Sequence, residues 1–228
     1  MTAWFSARAR RIVVLAWLAV GGTLAGMTAL EVRERWLSPP TPPEVVRDVT
    51  IRDVPDQQGR QATFRILLFS DEFRWRLNSY ETIEDSTAFP RFTDDMKAVL
   101  DSAREIICVG ASSEEIPAGV GLKTGRAREE WRAARRAERI ALWIRESLSK
   151  PIPVRKLNIG HHTPTRAGGD TSDQRRVVII LVLDHDESVN VDESLRAAML
   201  AESERAPILD SLLTNYSLGA GKTFSWVP

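Results

Sequence analysis

The sequence predicts an α+β protein, a sandwich with helices on one face of a mixed sheet, preceded by an N-terminal transmembrane helix. Three observations carry this expectation. An arginine-dense stretch, Arg126–Leu148, has helical apolar spacing and a strand-like apolar run on either side. Helix and strand patterns then alternate from Thr93 to Leu183. Finally, an uncharged apolar run, Ile12–Leu30, follows Arg8, Arg10 and Arg11.

The chain has 228 residues, enough for one domain with additional pieces. Its 43% hydrophobic and 27% charged content is globular, not disordered. Formal net charge is zero, which excludes nucleic-acid binding driven by bulk charge. The single Cys108 lies in an apolar run and reads as a small buried hydrophobe, so no disulfide framework reports the compartment.

Residues 1–11 are expected as a cytoplasmic tail and 12–30 as a membrane span. Roughly 19 helical residues at ~1.5 Å each cover ~28 Å, close to the hydrocarbon thickness. A cleaved signal peptide competes, but its apolar region is usually shorter and its cleavage site is not evident here. The arginines before the span place the N-terminus in the cytoplasm and send the remainder across the membrane. Gly22 and Gly26 form a GxxxG pair, leaving a homodimer through that helix as an open alternative. No Asp or Glu lies within the span, which argues against an ion-driven role.

Residues 31–45 read as a stiff Pro-rich linker around Ser38-Pro39-Pro40-Thr41-Pro42-Pro43. The principal domain is expected at 46–186, with a C-terminal helical extension at 187–228. Val45–Val54 and Ala62–Phe69 read as strands around the turn Asp56-Gln57-Gln58-Gly59. Ser70–Phe92, with Trp75, Tyr80 and Phe89, reads as a partly packed excursion. Thr93 should cap a helix to Ala103, with Asp94 and Asp95 in its first turn and Met96, Val99 and Leu100 inward. Glu105–Ala111 is a buried strand and Ser112–Gly125 a loop.

In the arginine helix, Ala133, Ala137, Ile140, Ala141, Ile144 and Leu148 form an apolar stripe expected on the sheet. Arg128, Arg132, Arg135 and Arg139 fall on another face, expected toward water. Val154–Ile159 and Arg175–Leu183 read as strands, Gly160–Asp173 as a loop, Glu193–Leu213 as a helix and Gly219–Pro228 as a tail.

These residues carry a resemblance. From about Arg104 to Val182 the chain resembles an OmpA-like domain, a periplasmic peptidoglycan-binding module. The family's strand ending Gly-His-Thr-Asp has Gly110-Ala111-Ser112-Ser113 in its place here. Its helix motif is matched in part by Arg132-Ala133-Ala134-Arg135-Arg136-Ala137, and its closing Asn-Arg-Arg-Val by Gln174-Arg175-Arg176-Val177.

The resemblance implies a non-catalytic protein that binds peptidoglycan and tethers the membrane to the wall. Arg136 would hold a stem-peptide carboxylate bidentately. Ser113 stands at the family's Asp position, and neighbouring Glu114 could supply the absent charge. Ser112 would line the same loop, and Arg176 would support it from the next strand. The substituted acid position gives the alternative, a degenerate OmpA-like domain serving as a protein-interaction module in an envelope complex. Glu193–Leu213, outside the resemblance, could then dock an envelope protein partner.

Other candidates are weaker. His161 and His162 are adjacent in an extended segment and point opposite ways, a poor metal pair. Gly219-Ala220-Gly221-Lys222-Thr223 resembles the end of a phosphate loop but has Tyr216 where the first Gly belongs and no following helix. Ser112 and Ser113 lack a nucleophile elbow and an identified base. The acids Asp184, Asp186 and Glu187 lack calcium-loop spacing. No cofactor, metal or enzymatic activity is expected.

Overall fold

The structure, a computed structural model, describes residues 42–70, 73–83, 91–115, 121–163, 171–201, 215–218 and 225–228. The expected tail, membrane span, GxxxG pair and most of the linker lie outside these residues. So do Phe89 and the Gly219–Thr223 motif. Among the described residues no helix is long and apolar enough to cross a membrane.

The elements follow the order β1 (Val45–Pro55), β2 (Gln61–Phe69), α1 (Asp94–Asp101), β3 (Glu105–Ser112), α2 (Leu122–Ser147), β4 (Val154–His161), β5 (Val178–His185), α3 (Val191–Ala201) and β6 (Ser225–Val227). A 3-10 turn, Ser172–Arg175, precedes β5. One mixed sheet holds the strands in the order β1-β2-β5-β3-β4-β6. β3 and β4 are parallel, joined by α2 as the crossover, and the other neighbours are antiparallel.

Local chemistry sets the boundaries. Gly59 adopts φ +80° in the β1–β2 turn, where its N–H donates to Asp56 O at 3.0 Å. Thr93 Oγ1 accepts from Met96 N at 3.2 Å and caps α1 as expected. Arg175 and Arg176 precede β5, which begins only at Val178. The expected C-terminal tail, Gly219–Pro228, instead contains β6, whose residues Ser225–Val227 pair with Asn158–Lys156 of β4.

The core has two layers. On one face, Leu67, Cys108, Ile179 and Leu181 pack with Leu100 of α1 and Ile140, Ala141 and Ile144 of α2. On the other, Phe64, Ile66, Val109, Ile180 and Val182 pack with Leu195, Ala198 and Met199 of α3. Helices therefore cover both faces, which corrects the expectation of one. The physical reason lies in the central strands, where Val177–Val182 and Ile106–Val109 are apolar at successive positions. Strands buried on both faces have that pattern. Part of the expected C-terminal extension thus closes the second layer.

A candidate ligand site at the end of β3

The site begins with Gly110. A Cβ there would lie 1.9 Å from Ala133 O and 2.7 Å from Ala137 N, so only glycine lets α2 approach β3 this closely. The approach puts the middle of α2 beside the C-terminal end of β3, with Ala133 and Ala137 fully buried. Arg132 and Arg136 are carried inward on the same side of the helix. Arg128, Arg135 and Arg139 stay exposed as expected, whereas Arg132 is 6% exposed, contrary to expectation.

Arg136 is fully buried. Its Nε donates to Ser79 O at 2.9 Å and its Nη1 to Ala111 O at 2.8 Å, while Nη2 lies 3.5 Å from Arg76 O. The guanidinium sits over the Trp75 ring, 5.5 Å from its centre. Burial, with Arg132 and Arg175 nearby, pushes its pKa down to about 9, partly offset by Glu129, so it remains a cation at neutral pH.

Arg175, 6% exposed, donates from Nη1 to Trp75 O at 3.0 Å, and Trp75 N donates to Arg175 O at 2.9 Å. The two arginine signatures, far apart in sequence, therefore meet on one short segment. That segment closes on itself: Arg76 N donates to Thr82 O at 3.0 Å, and Asn78 takes φ +59° at its bend.

The remaining predicted residues take different places. Ser112 is fully buried and its Oγ donates to Glu129, which also accepts from Arg132 Nη1. Ser113 is 2% exposed. Glu114 donates its backbone N–H to Gln174 Oε1 at 3.0 Å, and its carboxylate lies 3.9 Å from His162 Nδ1. Arg176 is half-buried and bridges to Arg74 in strand-like pairing, so Arg175, not Arg176, faces Trp75. Arg136, Ser112 and Glu114 thus gather at the end of β3, each on different partners.

The two histidines separate. His161 Nδ1 lies 3.4 Å from Glu130, while His162 stands edge-on to Tyr216. Burial lowers the His161 pKa and Glu130 opposes that shift only in part. Tyr216 in turn donates its hydroxyl to Gln174 O at 3.1 Å.

The sequence reading missed the roles of Trp75 and Gln174, whereas the pairing of Glu129 with Arg132 follows from helix spacing. Glu129 stands three and seven residues before Arg132 and Arg136, on one helical face with both. That spacing is the signal for a pair with the helix arginines. Trp75 lay in a stretch without periodicity and offered none.

No family model matches the sequence, and the comparison with curated proteins gives no match. Among solved structures, the OmpA-like domain of FopA1 from Francisella tularensis subsp. tularensis SCHU S4 is similar at 12% identity and a TM-score of 0.29. The similarity covers 64% of this chain and 97% of that one. A likeness of that size does not place the chain in a family.

Proposed function

We propose that the chain is a bacterial envelope protein, held by one N-terminal membrane anchor. Its periplasmic domain would be an OmpA-like scaffold that works as an interaction module, without catalysis. The order of β3, α2, β4 and β5 and the two arginine signatures support the scaffold reading. The use of Arg136 carries the functional reading. The arginine that the family turns toward a stem-peptide carboxylate here donates to Ser79 O and Ala111 O and is fully buried. Its expected acidic partner position is Ser113, also buried.

The second reading is the peptidoglycan tether. It is favoured by the convergence of Arg136, Arg175, Ser112 and Glu114 near one strand end, from places distant in sequence. Co-sedimentation of the full chain with purified peptidoglycan separates the readings. An interaction module leaves the chain in the supernatant. Sedimentation with the wall that Arg136→Ala abolishes, in a variant that still folds, would establish the tether instead.

A further inference from the structure

Six basic side chains of α2 are exposed, Lys123, Arg126, Arg128, Arg135, Arg139 and Arg145. Of its four acids, Glu129 is buried, Glu130 and Glu138 are half-buried, and only Glu146 is exposed. This is a cationic surface on a chain whose formal net charge is zero. Two large apolar side chains sit within it, Trp131 and Leu142, each 48% exposed. They are three helical turns apart and therefore share a face with Arg128, Arg135 and Arg139.

The patch is built, not loose. Arg135 lies over the Trp131 ring at 5.5 Å while bonded to Glu138 at 2.6 Å. Tyr80 stands edge-on to Trp131 at 5.1 Å. Tyr80 and the 43% exposed Leu77 belong to the segment that Arg136 fastens through Ser79 O. The buried arginine thereby holds the aromatic edge of the exposed patch in place.

We propose that this face of α2 docks on an anionic phospholipid surface, which names the partner of the interaction module and rests on the anchored reading above. A row of guanidiniums matches lipid phosphates, for which arginine offers paired donors. Trp and Leu amid such a row suit the headgroup region. A 26-residue helix presents an extended surface, not a closed pocket. The Pro-rich stretch over residues 31–44, ahead of β1, would reach roughly 43 Å if extended at ~3.1 Å per residue, a tether long enough to allow contact with the bilayer.

The test reconstitutes the full chain into phosphatidylcholine vesicles with and without phosphatidylglycerol. An environment-sensitive fluorophore is placed at Thr124→Cys, an exposed site two turns before Trp131. The native Cys108 is buried and its thiol pKa is raised, so it does not compete for label. Phosphatidylglycerol should give a blue shift that salt reverses and that Arg128→Gln, Arg135→Gln and Arg139→Gln together abolish. Identical emission in both lipids, or a shift surviving the triple substitution, overturns the proposal. An equal shift with soluble dextran sulfate also overturns it, by assigning the face to acidic polymers. Flotation with pure phosphatidylcholine vesicles reads the anchor separately. A chain that floats without a lipid-dependent shift keeps its anchor and loses the docking face. A chain that does not float loses the anchored reading, and the proposal with it.

Discussion

The guanidinium of Arg136 lies 5.5 Å from the centre of the Trp75 ring and donates to the carbonyls of Ser79 and Ala111. One side chain thus ties helix α2 to the end of β3 and to the segment between β2 and α1. The cation is surrounded by carbonyl dipoles and an aromatic face, partners that keep a buried charge tolerable. Arg175 grips the same segment at Trp75 O.

Truncation of Arg136 tests this role. Arg136→Ala removes the donors to the buried Ala111 carbonyl and the half-buried Ser79 carbonyl and leaves a side-chain-sized void, so stability should fall by about 3 kcal/mol or more. Arg136→Lys should recover little, because an ammonium cannot span the same fork. Chemical denaturation gives the magnitude, and hydrogen exchange at Arg76 and Ser79 gives the location. A loss below about 1 kcal/mol would show that the contact is not structural.

Much of the fold was legible because its signals are local. Thr93 caps its helix through its own side chain, and Val45–Val54 and Ala62–Phe69 flank a turn closed by Gly59. The placement of α3 on the second face was not read, although the uninterrupted apolar run Val177–Val182 implied burial on both sides. β6 was missed because three residues carry no period, and only pairing with Lys156–Asn158 defines them. At the site, Arg136 was legible as special but its use was not. Its partners are backbone carbonyls, and a carbonyl has no signature in sequence.

Gly110 sets the distance between α2 and β3. Gly110→Ala places a methyl group 1.9 Å from Ala133 O and 2.7 Å from Ala137 N, both backbone atoms that cannot swing aside. The helix has to move off the sheet, a cost of about 3 kcal/mol or more by analogy with severe overpacking. Thermal unfolding should show a clear drop in midpoint. Gly121→Ala is a control, since a Cβ there meets nothing within 4 Å. Equal effects at the two glycines would contradict the close approach.

Ser112, Glu129 and Arg132 form a buried charged network, with Arg132 6% and Glu129 1% exposed. Glu129→Gln leaves the Arg132 cation uncompensated and should cost about 3–5 kcal/mol. Arg132→Met alone strands the carboxylate with a similar cost. The double variant should be less damaging than the sum, because both charges leave together. A double-mutant cycle by urea unfolding measures the coupling, and strictly additive losses would show that the pair does not act as a unit.

Asp56 joins the β1–β2 turn to the start of α3. Its carboxylate accepts from Arg60 Nε at 2.8 Å, Gln58 N at 2.9 Å, Arg60 N at 3.0 Å and Asn190 N at 2.9 Å. Burial alone would raise its pKa, but these donors outweigh it and hold the group at about 2, below the ordinary 3.8. A folded-state pKa below the unfolded one means that the unfolded chain binds the proton first as pH falls. The stabilisation from Asp56 is therefore complete above the unfolded value and disappears as pH drops through about 2. Asp56→Asn should be less stable than wild type at neutral pH, and the gap should narrow steadily below about pH 4. Urea unfolding of both proteins across that range reads the gap directly. A gap that stays constant down to about pH 2, or widens there, would show that the carboxylate is not held by these donors.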